Sequence, residues 1–180
     1  PGSAGILLFY RLFLLRKLKE LQIENNYEWF IITRSDYIHL SIHPNTNDLN
    51  NNFLYIPDGE QCGGFTDRHA IIPKKYLYNY LSVMIPIIVN PNKCIASMKH
   101  KHDWNVECLI KHHLKNQNVP IRLIPYTMFA IRLPDGTTRW SRGTFDSENN
   151  YYIKYDTERA KAKHFEKSKN AIIEYLYENI

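Results

Sequence analysis

A chain of 180 residues with 44% hydrophobic and 13% aromatic content is long enough to bury one core and short for two, which predicts a single globular domain over 1–180 and excludes a disordered chain. The net charge of +5, from 23 basic and 18 acidic residues, is too small and too scattered to mark a nucleic-acid footprint, although it favours anionic partners. Three widely spaced cysteines, Cys62, Cys94 and Cys108, fit neither a disulfide framework nor a paired-cysteine zinc site and point to a reducing, cytoplasmic compartment.

Pro1-Gly2-Ser3 reads as a cloning scar. The apolar stretch that follows, 6-ILLFYRLFLLRKL-18, is broken by Arg11 and Arg16 well short of the roughly 20 apolar residues that a membrane span requires, so a buried helix is expected instead. Leu8, Leu12, Leu15, Leu18 and Leu21 recur every three or four residues and set that helix over 5–24. The nearly continuous apolar run 27-YEWFIIT-33 predicts a strand covered on both faces. An asparagine-rich loop over 44–52 leads to short strands at 53–57 and 69–72, and 74–88 carries helical spacing with Pro73 in its first turn and Pro86 at its end or kink. A helix over 103–116, capped by Asp103 or Asn105, precedes strands at 120–124 and 127–133, a turn at Pro134-Asp135-Gly136 and a closing amphipathic helix over 156–178. Helices interleaved with short strands argue an α/β fold with a mixed sheet.

Two segments carry candidate chemistry. In 31-IITRSDYIH-39 a strand runs straight into Arg34, Ser35 and Asp36, at the strand end where open α/β sheets place ligands. A carboxylate there can hold Mg²⁺ or Mn²⁺ against phosphate oxygens, with the arginine adding donors to the same anion; the alternative is an ordinary surface ion pair. In 60-EQCGGFTDRHAIIP-73, Gly63 and Gly64 permit close backbone approach beside Asp67 and Arg68, and Asp67 has the chemistry to take a proton from an incoming hydroxyl. The alternative is a turn into a strand, with Asp67 pairing Arg68. His39 and His43 have the spacing of zinc ligands on a helix, but their segment contains Pro44 and is not helical in pattern. His100 and His102 flank Lys101 in a loop, and His112 and His113 sit on a helix. GxSxG, P-loop, GxGxxG and HExxH patterns do not occur.

As a set, 27-YEWFIITRSDYIHL-40, 63-GGFTDRHAI-71 and 103-DWNVECLIKHHLKNQNVPIRLI-124 resemble glycosyltransferases of the GT-A fold found in large DNA viruses and in bacterial capsule and lipopolysaccharide clusters. The likeness covers roughly residues 6–133. It implies transfer of a sugar from a nucleotide-sugar donor to a hydroxyl of a glycan or protein-linked acceptor, assisted by a divalent cation. In that likeness Asp36 contacts metal and donor diphosphate with Arg34 in support. Asp67 is the general base facing the acceptor, Gly63 and Gly64 give the sugar room, and Arg68 holds the carboxylate or binds phosphate. Glu107 on the acidic helix has an ordinary reading as a first-turn acid.

Two departures stand out. Arg34-Ser35-Asp36 replaces a plain Asp-x-Asp, so one strong cation ligand is absent. The chain also opens on a helix where enzymes of this fold open on a nucleotide-binding βαβ portion, so that portion is expected to be lacking or truncated. A non-catalytic carbohydrate-binding or scaffold domain on the same fold is therefore the second reading. A third, less favoured, is a nucleic-acid-binding domain using Lys99, Lys101, Lys111, Lys115, Arg139 and Arg142 with Trp104 or Trp140 as a stacking platform.

Overall fold

The computed structural model describes residues 3–59, 61–98, 104–136, 141–166 and 171–178. The chain divides into two compact units, one of residues 1–32, 50–56 and 60–122, the other of residues 33–49, 57–59 and 123–180. The fold is α/β, with one mixed and one antiparallel four-stranded sheet, each accompanied by helices.

The first unit opens on α1 (Ser3–Glu20). Leu8, Arg11 and Leu15 are its buried positions, spaced three and four residues apart, whereas Ile6, Phe9, Tyr10 and Phe13 are exposed. The helix is therefore half-buried, and its inner stripe includes a charge. β1 (Trp29–Thr33) begins the sheet β1-β4-β3-β5. Its edge position corrects the expectation of a strand covered on both faces: Phe30 is buried, but Ile31 is 46% exposed. β3 (Leu54–Pro57) and β4 (His69–Pro73) are central, antiparallel and buried at every residue. β5 (Ile121–Ile124) runs parallel to β3, since the N–H groups of Leu54 and Asp58 donate to the carbonyls of Pro120 and Ile124 in the same chain direction.

Pro73 ends β4 and caps α2 (Lys74–Leu81), whose buried Leu77, Tyr80 and Leu81 face the core. The predicted single helix over 74–88 is two: Pro86 lies in the opening turn of α3 (Ile85–Val89), and Pro91 opens α4 (Pro91–Ser97). A proline lacks only an N–H that the first turn leaves unpaired, so it starts these helices where a terminus or kink was expected. α5 (Val106–Asn116) is capped by Asn105, whose Oδ1 accepts from the Cys108 N–H at 2.7 Å. Asp103 lies outside the described residues.

The second unit is built on β2 (Tyr37–His39), β6 (Met128–Arg132), β7 (Thr144–Asp146) and β8 (Tyr151–Ile153), in the antiparallel order β2-β6-β8-β7. Phe129 of β6 and Ile153 of β8 pack on Ala162 of α6 (Asp156–His164). The register pairs Ile131 with Ile153, which sets Ala130 opposite Lys154. The Lys154 N–H donates to the Ala130 carbonyl, but the return bond is supplied from the helix: the Ala130 N–H donates to Glu158 Oε2 at 2.9 Å. Glu158 is fully buried. The predicted closing helix over 156–178 is α6 followed by α7 (Ala171–Glu178), with Phe165 and Glu166 in a turn and 167–170 outside the described residues. Among the described residues no helix is long and apolar enough to cross a membrane.

Candidate functional site

The glycine-rich segment is a turn clamped to the first turn of α5. Cys62 and Gly63 adopt φ of 43° and 84°, the left-handed region that glycine tolerates best. The Gly64 N–H closes the turn on the Gln61 carbonyl at 2.6 Å. Asn105 Nδ2 donates to the Cys62 carbonyl and Lys111 Nζ to the Gly63 carbonyl, both at 3.0 Å, and the Phe65 N–H donates to the Glu107 carbonyl at 3.0 Å. A Cβ on Gly64 would lie 1.9 Å from the Glu107 carbonyl carbon and 2.2 Å from the Cys108 nitrogen. The room that Gly64 makes is occupied by the backbone of α5.

The residues that follow carry their polar groups inward. Thr66 is fully buried and His69 is 3% exposed, while the side chains of Arg68 and Asp67 are 8% and 10% exposed, with Arg68 Nε 3.9 Å from Asp67 Oδ1. Arg11 reaches this run from α1: its NH2 donates to the Asp67 carbonyl at 2.8 Å and to the Tyr80 hydroxyl at 2.9 Å, and its guanidinium carbon sits 4.5 Å over the Tyr80 ring. Burial pushes the Tyr80 phenol above its usual pKa; the Arg11 charge opposes that shift and the Asp67 charge adds to it. Arg11 NH1 and Thr66 Oγ1 are buried without a hydrogen-bond partner. Two such orphans in one cluster cost stability and leave donor capacity for another group. A shorter polar network lies nearby in sequence: His113 Nε2 is 2.9 Å from the Asn79 carbonyl and 3.3 Å from Ser82 Oγ, and burial holds His113 below the ordinary histidine pKa.

In the second unit Arg34 and Asp36 form a two-pronged pair, Nε to Oδ1 at 2.9 Å and NH2 to Oδ2 at 2.6 Å, each about a third exposed. Both carboxylate oxygens are thus engaged by one guanidinium. Among the described residues no three His, Cys, Asp or Glu side chains converge on a point that would hold a metal ion. In this arrangement the Asp36 carboxylate is held by Arg34 on both oxygens. His39 and His43 are both held below the usual histidine pKa by burial, His39 also by the charge of His43. His100 and His102 lie outside the described residues, as do Lys99, Lys101, Arg139 and Trp140. Of the remaining residues suggested for nucleic acid, Lys111 is engaged by Gly63, Arg142 NH1 donates to the Pro134 carbonyl, and Trp104 Nε1 donates to the Met98 carbonyl.

Gly63, Gly64, Asp67 and Arg68 are thus brought together in the first unit, and Arg34 and Asp36 in the second. Arg11 and Tyr80 escaped the sequence reading. Arg11 interrupts an apolar helix, and its spacing of three from Leu8 and four from Leu15 places it on the inward stripe. A charge at such a position is the signal that identifies it. No protein-family model, curated protein or solved structure matches the chain.

Proposed function

We propose that the chain acts in glycosyl transfer, with Asp67 as the proton acceptor. The observation that carries this reading is the inward-facing run Thr66-Asp67-Arg68-His69 around Arg11, a buried charged cluster with hydrogen-bonding capacity to spare. Cores avoid such clusters unless something else requires them. The acceptor hydroxyl attacks the anomeric carbon of a nucleotide sugar, the bond to the diphosphate breaks, and the hydroxyl proton passes to the Asp67 carboxylate. Arg68, close to that carboxylate, fixes its position; Arg11 fixes the backbone beneath it. Arg34 and Asp36 keep, as a separate proposal for the second unit, the donor-contacting role that the resemblance gives them.

Carbohydrate binding without turnover is the second reading. Gly64, whose open side is filled by α5, supplies room for the sugar in neither reading. One experiment separates them: thermal unfolding and nucleoside diphosphate release, measured against a panel of nucleotide sugars for wild type and Asp67→Asn. A ligand at about 100 times its Kd adds roughly 2.7 kcal/mol to stability. A shift and release in wild type, with the shift kept and release lost in Asp67→Asn, supports transfer. A shift without release from wild type supports binding alone, and no shift with any donor overturns both.

A further inference from the structure

A second feature of the first unit lies apart from the Asp67 cluster in sequence and in its elements: a cleft of about 490 Å³ bounded by α3, α4 and α5. That volume is the size of an ordinary small-molecule site. Pro86, Val89 and Leu109 give it apolar walls, and Cys94 is buried in its lining, with burial pushing the thiol pKa up and making it a poor nucleophile.

The polar part of the lining is held in place before any ligand arrives. His112 Nε2 lies 2.7 Å from Ser97 Oγ and 2.9 Å from Asn116 Nδ2, and Ser97 Oγ also lies 2.7 Å from the Cys94 carbonyl. Ser97 has one hydroxyl hydrogen, so it goes either to the Cys94 carbonyl or to His112 Nε2, and in both cases the imidazole edge lies against α4. Lys93 supplies a cation, and the lining contains no carboxylate. Its field is one-signed, while its walls are mostly apolar.

We propose that this cleft binds a small organic anion, a carboxylate or phosphate on an apolar body, with Lys93 and the Ser97–His112–Asn116 cluster taking the anionic head and Pro86, Val89 and Leu109 the body. The shared chemistry is an anion next to an apolar ring or chain.

Titration of the full chain with benzoate, phenyl phosphate and the neutral benzyl alcohol, followed by amide chemical shifts, tests it. Benzoate or phenyl phosphate should shift residues of α3–α5, and whichever binds tighter identifies the head group. Benzyl alcohol should bind at least tenfold more weakly. Lys93→Gln should weaken anion binding roughly tenfold, the size of one charge-assisted hydrogen bond, and leave the alcohol unchanged. Val89→Trp, at an exposed rim position that tolerates substitution, should block every ligand. Equal affinity for benzoate and benzyl alcohol, an unchanged Kd in Lys93→Gln, or no shifts confined to α3–α5 at millimolar ligand would overturn the proposal.

Discussion

Glu158 and Arg11 are both charged side chains buried on the inner stripe of a helix, one in each unit, and they end differently. Glu158 occupies a gap in a strand ladder: β8 supplies one half of the pair with Ala130, and the carboxylate supplies the other. It serves the backbone's need for a complete set of hydrogen bonds. Arg11 also serves the backbone, through the Asp67 carbonyl, but retains a buried NH1 with no partner, and the Thr66 hydroxyl, one residue before Asp67, is in the same condition. A buried charge that completes a sheet is explained by folding alone. One that leaves donors over is where a site should be sought.

Substitutions break or sharpen this contrast. The largest loss is expected from Gly64→Ala, because the added methyl meets helical backbone that cannot rotate away: about 3 kcal/mol or more, a fall in Tm of roughly 6–12 °C. Calorimetry reads it directly, and a wild-type Tm would mean that the loop does not seat on α5. Glu158→Ala should cost about 1–3 kcal/mol by orphaning the Ala130 N–H, and Glu158→Gln, which keeps an acceptor, clearly less. Equal losses in the two would show that the carboxylate's charge matters rather than its hydrogen bond.

Arg11→Met exchanges two hydrogen bonds for relief from a buried charge, so chemical denaturation should register only about 1 kcal/mol, while any nucleotide-sugar-dependent rise in Tm disappears. A large stability loss with ligand response intact would place Arg11 with Glu158, as a residue of the fold. The smallest effect is a pH dependence from His113. Its folded pKa lies below the ordinary 6.5, so between the two values the unfolded chain binds more protons and stability rises with pH. Stability should therefore decline as pH falls through about 6.5 and level off once the folded histidine is also protonated; His113→Gln should make that segment shallower, with His39 and His43 supplying the slope that remains.

The sequence made the longer elements legible. Leu8 and Leu15 of the leucine series lie on the inner stripe of α1, while Leu21 is exposed beyond its end; Asn105, one of two cap candidates, starts α5, and the apolar runs at 53–57, 69–72, 120–124 and 127–133 became β3 to β6. The strands at Tyr37–His39, Thr144–Asp146 and Tyr151–Ile153 were not visible, since three residues are too few to show alternation and their positions are set by distant partners such as Met128–Ala130. For the candidate site, the composition of 63–68 flagged the segment but not the direction its side chains face. Nor can local pattern reveal the bond to the Asp67 carbonyl from Arg11, 56 residues away along the chain.

The way the units share the polypeptide has a consequence for synthesis on the ribosome. The chain passes from one unit to the other at 32/33, 49/50, 56/57, 59/60 and 122/123, so neither unit can be expressed as one contiguous fragment. At a typical 5–20 residues per second, β2 emerges roughly 5–20 s before β6, its partner strand among the described residues, has been translated. The β2 edge is thus left unpaired until β6 has been made, and nascent chains stalled before residue 128 should be the forms most in need of a chaperone.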